Sequence, residues 1–206
     1  VCYGAFKIEH VRGHHLRVAT PLDSASARRG ESVYAFIPRS VLGTLRHAWK
    51  LERDRLVAAG EPVWGPRNEW LRLAAASAAL ALLIGGVFGA TALALFLAAS
   101  VVAVVELEII NYVEHYGLQR LQLPDGRFEP VTPAHSWNAN TGVVNAFLFN
   151  LQRHADHHAH AGRDYLHLRS LPQAPTLPLG YGAMVLVALL PPLWRRLMDA
   201  RLARTG

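Results

Sequence analysis

The sequence contains a single cysteine, Cys2. Intrachain disulfides, thiolate zinc sites and four-cysteine iron–sulfur clusters are therefore excluded, and any metal held here must be held by imidazole and carboxylate. Charge is also scarce: only 17% of residues are charged, and none lies between Arg72 and Glu106. A 206-residue chain that is 51% hydrophobic and carries such a gap reads as an integral membrane protein, not as soluble domains. Zinc-finger spacing, RNP motifs and helix-turn-helix patterns are missing, so the net charge of +6 does not signal nucleic acid. Arginines flanking an apolar hairpin are explained instead by the positive-inside rule. There is no signal peptide, targeting pattern, internal repeat or low-complexity linker, and we read one domain over residues 1–206. The chain starts on Val1 and not Met, and is expected to be the C-terminal portion of a longer protein.

Histidine is what the sequence has in excess, eleven in all. LQRHADHHAH places His154, His157 and His158 at i, i+3 and i+4, one face of a helix with Cβ atoms roughly 5 to 6 Å apart. EHVRGHH supplies His10, His14 and His15. On an α-helix His10 and His14 share a face, and His15 lies about 100° away, still able to approach a metal beside its neighbours. His115 is a third location, at the end of an otherwise apolar helix that also carries Glu106, Glu108 and Glu114. Ionisable groups at that depth are costly and by default functional. Imidazole suits iron, zinc, copper and nickel alike, so residue type does not choose the metal. Seven candidates exceed the three or four ligands of one mononuclear site and suggest a dinuclear one. His47 reads as a surface residue, and His160 as outside the ligand set.

Between the clusters the pattern predicts helices joined by loops and turns. Asp23, Ser24 and Ser26 supply helix-start chemistry before an amphipathic, membrane-surface helix over residues 35–59, with Phe36, Val41, Leu45, Trp49, Leu51 and Leu56 as its apolar positions. The uncharged run is too long for one span, because a bilayer core of about 30 Å needs only about 20 helical residues. With Gly85, Gly86 and Gly89 in its middle it reads as a transmembrane hairpin, residues 70–86 and 90–111. Arg67, Arg72, Arg120 and Arg127 place both ends in the cytoplasm. A turn-rich loop from Leu123 becomes helical near Thr141 and feeds the last cluster, with Asn138, Asn140 and Asn145 as candidates to orient ligands. Residues 179–190 form a helix too short to span, ended by Pro191 and Pro192, and Trp194 to Arg201 mark a cytoplasmic tail. The fold class is all-α, an integral membrane helical bundle with one transmembrane hairpin plus cytoplasmic and interfacial helices.

EHVRGHH, NYVEHYGL and LQRHADHHAH resemble the second histidine box, the HYG motif and the third histidine box of the membrane alkane 1-monooxygenases. VATPLDSASARRGESVY, PAHSWNAN and LPLGYG resemble that family's connecting segments, so the resemblance covers almost the whole chain. NYVEHYGL together with LQRHxDHHA separates this family from the related desaturases and sterol hydroxylases. The resemblance implies a non-haem diiron centre, two iron ions on His10, His14, His15, His115, His154, His157 and His158. The family's earlier HExxxHK box is missing from this sequence, so the piece is expected to be inactive alone. Glu9, Glu114, Asp156, Asn138 and His135 are expected to surround the ligands and orient them.

The implied reaction is terminal hydroxylation of medium- or long-chain n-alkanes by O₂. Two electrons come from rubredoxin and its reductase. The implied location is the bacterial cytoplasmic membrane, multi-pass, with the site facing the cytoplasm. A relative acting on alkyl aromatics or fatty acyl chains is the enzymatic alternative. A non-catalytic metal- or haem-binding membrane protein is the alternative from another class.

Overall fold

The computed structural model describes residues 2–205, whose regular elements are all helices, with no β-strand among them. Helix α1 (Gly4–Glu9) passes through a π-helical stretch, His10–His14, into the short turn α2 (His15–Arg17). Helix α3 (Val33–Ala58) starts where the Ser32 hydroxyl accepts the Ala35 N–H. Of the apolar positions the sequence suggested, the stripe it buries keeps only Phe36 and Leu56. Phe36, Ser40, Thr44, Ala48, Glu52 and Leu56 face inward at four-residue steps, whereas Val41, Leu45, Trp49 and Leu51 are only half-buried. Small residues at the centre of this stripe let α1 lie close, with Ala5 and Ile8 packed on Ala48. Helix α3 is therefore a packed element of the bundle.

Helix α4 (Glu69–His115) is capped by Asn68, whose Oδ1 accepts the Leu71 N–H at 3.0 Å. Its one non-helical residue is Gly89, with φ 84° and ψ 177°, a conformation open almost only to glycine. If the helix were straight, Ala74 and Leu97 would stand about 34 Å apart. Both instead border the space beside Cys2, so the two legs fold back on each other at Gly89. An added Cβ on Gly85 would meet the Leu93 side chain at 3.2 Å, the closeness a small residue permits. The second leg continues past the expected end at Asn111 to His115, because Tyr112 and Val113 have a core to enter. Leu82, Val87, Phe88, Leu95 and Val101 remain exposed, a surface suited to hydrocarbon.

The core lies at the foot of this hairpin. Tyr112 packs on Phe36, Tyr116 and Trp194, with ring centroids 4.9 to 5.5 Å apart. Helix α5 (Gly142–Phe147) stops short of the last histidines, correcting the expected continuous run. Phe149 and Asn150 both take positive φ, 50° and 62°, and turn the chain before α6 (His154–Ala159). Buried Gln152 holds that turn by donating to Asn145 Oδ1 at 2.9 Å and accepting from Tyr181 N at 3.0 Å. Helix α7 (Tyr181–Ala188) is too short to span, as expected. Pro191 and Pro192, expected only to end a helix, begin α8 (Pro191–Leu202), where a first-turn proline forfeits no hydrogen bond. Trp194 and Met198 are fully buried on α8, so the supposed tail completes the core.

Candidate metal centre

Seven imidazoles meet where α1, the foot of α4 and α6 converge, and they form two sets. His14, His115, His154 and His158 are all buried, with potential ligand atoms within 4.8 Å of one another. His10, His15 and His157 form a second, half-buried set under the same distance limit. The sets adjoin, with ring centroids 4.8 Å apart for His15 and His158 and 5.3 Å apart for His10 and His14. Each sequence triplet is divided between them. The i, i+4 pair His154 and His158 joins the buried set, and His157 turns to the other. In the π-helical stretch His10 and His15, five residues apart, meet at 3.1 Å between Nε2 atoms while His14 enters the buried set. That local winding brings to His10 the His15 ring that an α-helix would set about 100° away, while His10 and His14 remain stacked with ring centroids 5.3 Å apart.

The rings converge through Nε2. His154 Nε2 stands 3.2 Å from His115 Nε2 and 2.9 Å from His158 Nε2, and His10 Nε2 is 3.4 Å from His157 Nε2. His14 Nε2 is buried with no hydrogen-bond partner among the described residues. Basic nitrogens gathered about 3 Å apart repel unless a proton or a cation lies among them, and nitrogens around one metal ion at about 2 Å stand at such separations. Burial and the neighbouring imidazoles drive His10 down to about 2 and His15 to about 4, and they lower His154, His157 and His158. Neutral imidazole is the form that ligates metal. The residues present therefore fit one or two metal ions.

Asp23 is the functional residue the sequence reading missed. Its Oδ2 lies 2.9 Å from His14 Nδ1 and accepts the Ser26 hydroxyl at 2.6 Å. With the His14 Nδ1–H committed to a carboxylate, Nε2 is the nitrogen left to face the buried set. Burial alone would raise Asp23, but His14 and Ser26 bring it to about 2; Asp23 in turn raises His14 against the effect of burial. The signal was a carboxylate in LDSAS soon after a histidine pair, which reads equally well as helix-start chemistry.

The expected orienting residues fare differently. Glu114 Oε2 is 3.2 Å from His154 Nε2, so it approaches the nitrogen that faces the cluster and not the distal one. Glu9 does not reach a clustered imidazole; it meets His47 Nδ1 at 2.9 Å and Arg17 at 3.6 Å. His47 is accordingly half-buried and engaged, not the surface bystander expected. Asp156 is tied to Arg163, to His160 Nδ1 at 2.8 Å and to the Arg169 N–H at 2.8 Å, away from the cluster. Asn138 Oδ1 accepts the Ala155 N–H at 2.8 Å and so fixes the start of α6. His135 faces Glu129 at 3.3 Å, Asn145 serves Gln152, and Asn140 is exposed.

Imidazole sets at the foot of an apolar hairpin define a membrane protein equipped to hold metal at the edge of the hydrocarbon layer. The chain belongs to the fatty acid desaturase family, whose model matches residues 1–188. It is 50% identical over 201 residues to alkane 1-monooxygenase 2 of Pseudomonas aeruginosa, covering 98% of this chain and 53% of that protein. It is 45% identical to the alkane 1-monooxygenase of Acinetobacter baylyi, over 97% of this chain and 49% of the relative. With the xylene/toluene monooxygenase hydroxylase component XylM of Pseudomonas putida it shares 30% identity, over 91% and 49%. The chain thus spans about half the length of the curated relatives it matches.

Proposed function

We propose that this chain carries the metal-binding part of a membrane hydroxylase that converts medium- or long-chain n-alkanes to primary alcohols. The observation that carries the reading is the pair of adjoining histidine sets, read together with the similarity to alkane 1-monooxygenases. His14, His115, His154 and His158 would hold one iron ion, and His10, His15 and His157 would contribute to a second. Iron held there would supply the oxidising power to break a terminal C–H bond, which offers no handle to acid, base or nucleophile. The balance is R–CH₃ + O₂ + 2 e⁻ + 2 H⁺ giving R–CH₂OH + H₂O.

The protein's own contribution is placement. Asp23 orients His14, Asn138 anchors the helix carrying His154 and His158, and burial of the four-histidine set keeps water away. The exposed apolar legs of α4 keep the site beside the layer in which alkanes dissolve. Rubredoxin with its reductase would deliver the electrons from the cytoplasm, and the cytoplasmic membrane is the proposed location. Alkyl aromatics are the second reading, favoured by the similarity to XylM but at lower identity. The test is expression of the full-length gene product with a rubredoxin and its reductase, fed octane, hexadecane, xylene and a fatty acid. We expect 1-alkanols and two irons per chain. Benzylic alcohols alone, bound zinc, or a haem absorption band would overturn the reading.

A further inference from the structure

The division of His10, His14 and His15 between two sets depends on the π-helical winding of His10–His14, and a winding of this kind needs something to hold it. The side of that stretch toward α3 is occupied by a polar clasp of one buried and two half-buried side chains. Glu9, 2% exposed, extends one carboxylate oxygen to His47 Nδ1 on α3 at 2.9 Å. Arg17, on the turn that follows the stretch, meets the same imidazole at 2.7 Å and Glu9 at 3.6 Å. Residues before and after the stretch are thereby joined to one another and to the neighbouring helix. Gly13 lies against the clasp: a Cβ added there would stand 1.8 Å from Glu9 Oε2 and 2.4 Å from an Arg17 guanidinium nitrogen. Gly13 thus leaves room inside the π turn that any side chain would fill.

We propose that Glu9, His47 and Arg17 are positioning residues, whose clasp across Gly13 fixes the π-helical register and so assigns His10 and His15 to one metal site and His14 to the other. If the clasp is released, the stretch relaxes toward α-helix. His15 then turns about 100° away from His10, and the three-histidine set loses a member. The buried four-histidine set keeps its contributions from α4 and α6, because His115, His154 and His158 do not depend on this winding.

The inference rests on reading the histidines as metal ligands, and its test separates the two. The metal-free full-length protein in detergent is titrated with cobalt(II), whose visible spectrum reports the number and coordination of bound ions, with circular dichroism as a control for fold. Wild type should bind two ions. His47→Ala should bind one ion as wild type does and the other about 10- to 100-fold more weakly, the range seen when residues supporting metal ligands are removed. Gly13→Ala should do the same, and His47→Gln, whose amide can still bond Glu9, should recover most of the second site. If wild type binds no metal, the reading of the histidines fails. If it binds two and His47→Ala matches it, the clasp has no such role. Equal weakening of both sites, or no recovery by His47→Gln, also overturns the proposal.

Discussion

Glu52 offers a quantitative check on how the histidine-bearing segment is tied to the bundle. Its fully buried carboxylate accepts from Arg12 Nη1 at 2.8 Å, from Arg55 at 2.6 and 2.9 Å, and from the Glu69 N–H at 2.7 Å. One side chain of α3 therefore joins the π-helical stretch, through Arg12, to the first turn of the membrane hairpin. The hydrogen bonds from Arg55, with those from Glu69 N and Arg12, outweigh burial and hold the carboxyl at about 2 against an ordinary 4.5. That difference corresponds to roughly 3 kcal/mol of folding stability. Solvent reaches Arg12 and Arg55, whose side chains are 38% and 44% exposed, and reduces the expected effect of Glu52→Gln to about 2 kcal/mol. The folded state holds this carboxyl below its unfolded value. Its contribution is therefore complete above about pH 4.5 and is lost as pH falls toward 2. Unfolding of wild type and Glu52→Gln in detergent, followed by tryptophan fluorescence, should give a gap of about 2 kcal/mol at pH 7 that shrinks by more than half at pH 3. A gap under about 0.5 kcal/mol at pH 7, typical of an unremarkable surface substitution, would refute the argument. So would a gap that does not change with pH.

Three other substitutions test other parts of the structure. Asp23→Ala removes the carboxylate behind His14 and should weaken metal binding about 10- to 100-fold, measured by iron titration of the metal-free full-length protein; unchanged affinity would mean that Asp23 only shapes its loop. Gly89→Ala forces a Cβ into a conformation reserved for glycine and should cost about 1 to 3 kcal/mol, read from the unfolding midpoint. Trp194→Ala empties the centre of the aromatic core and should cost about 3 to 5 kcal/mol in the same assay. A much smaller loss would place α8 outside the folding unit.

The sequence by itself determined the helical class, the hairpin and its turn, and the candidate histidines. These are local or compositional properties. An uncharged run with central glycines can satisfy its backbone in lipid only as helix, and imidazoles stand out against apolar surroundings. Partnerships were not legible, because they are set by how the elements pack and not by local pattern. Asp23 resembled a helix cap until the fold set it against His14, and Trp194 read as part of a cytoplasmic tail until α8 packed on Tyr112. His47 and Glu9 are 38 residues apart, and nothing in either neighbourhood announces their contact. The division of the histidines was hidden for a subtler reason. Spacing gives a face only once a winding is assumed, and an α-helix set His15 about 100° from His10, which it meets in the structure. The tertiary structure chose a π turn there because Gly13 leaves space and because Glu9, Arg17 and His47 occupy it.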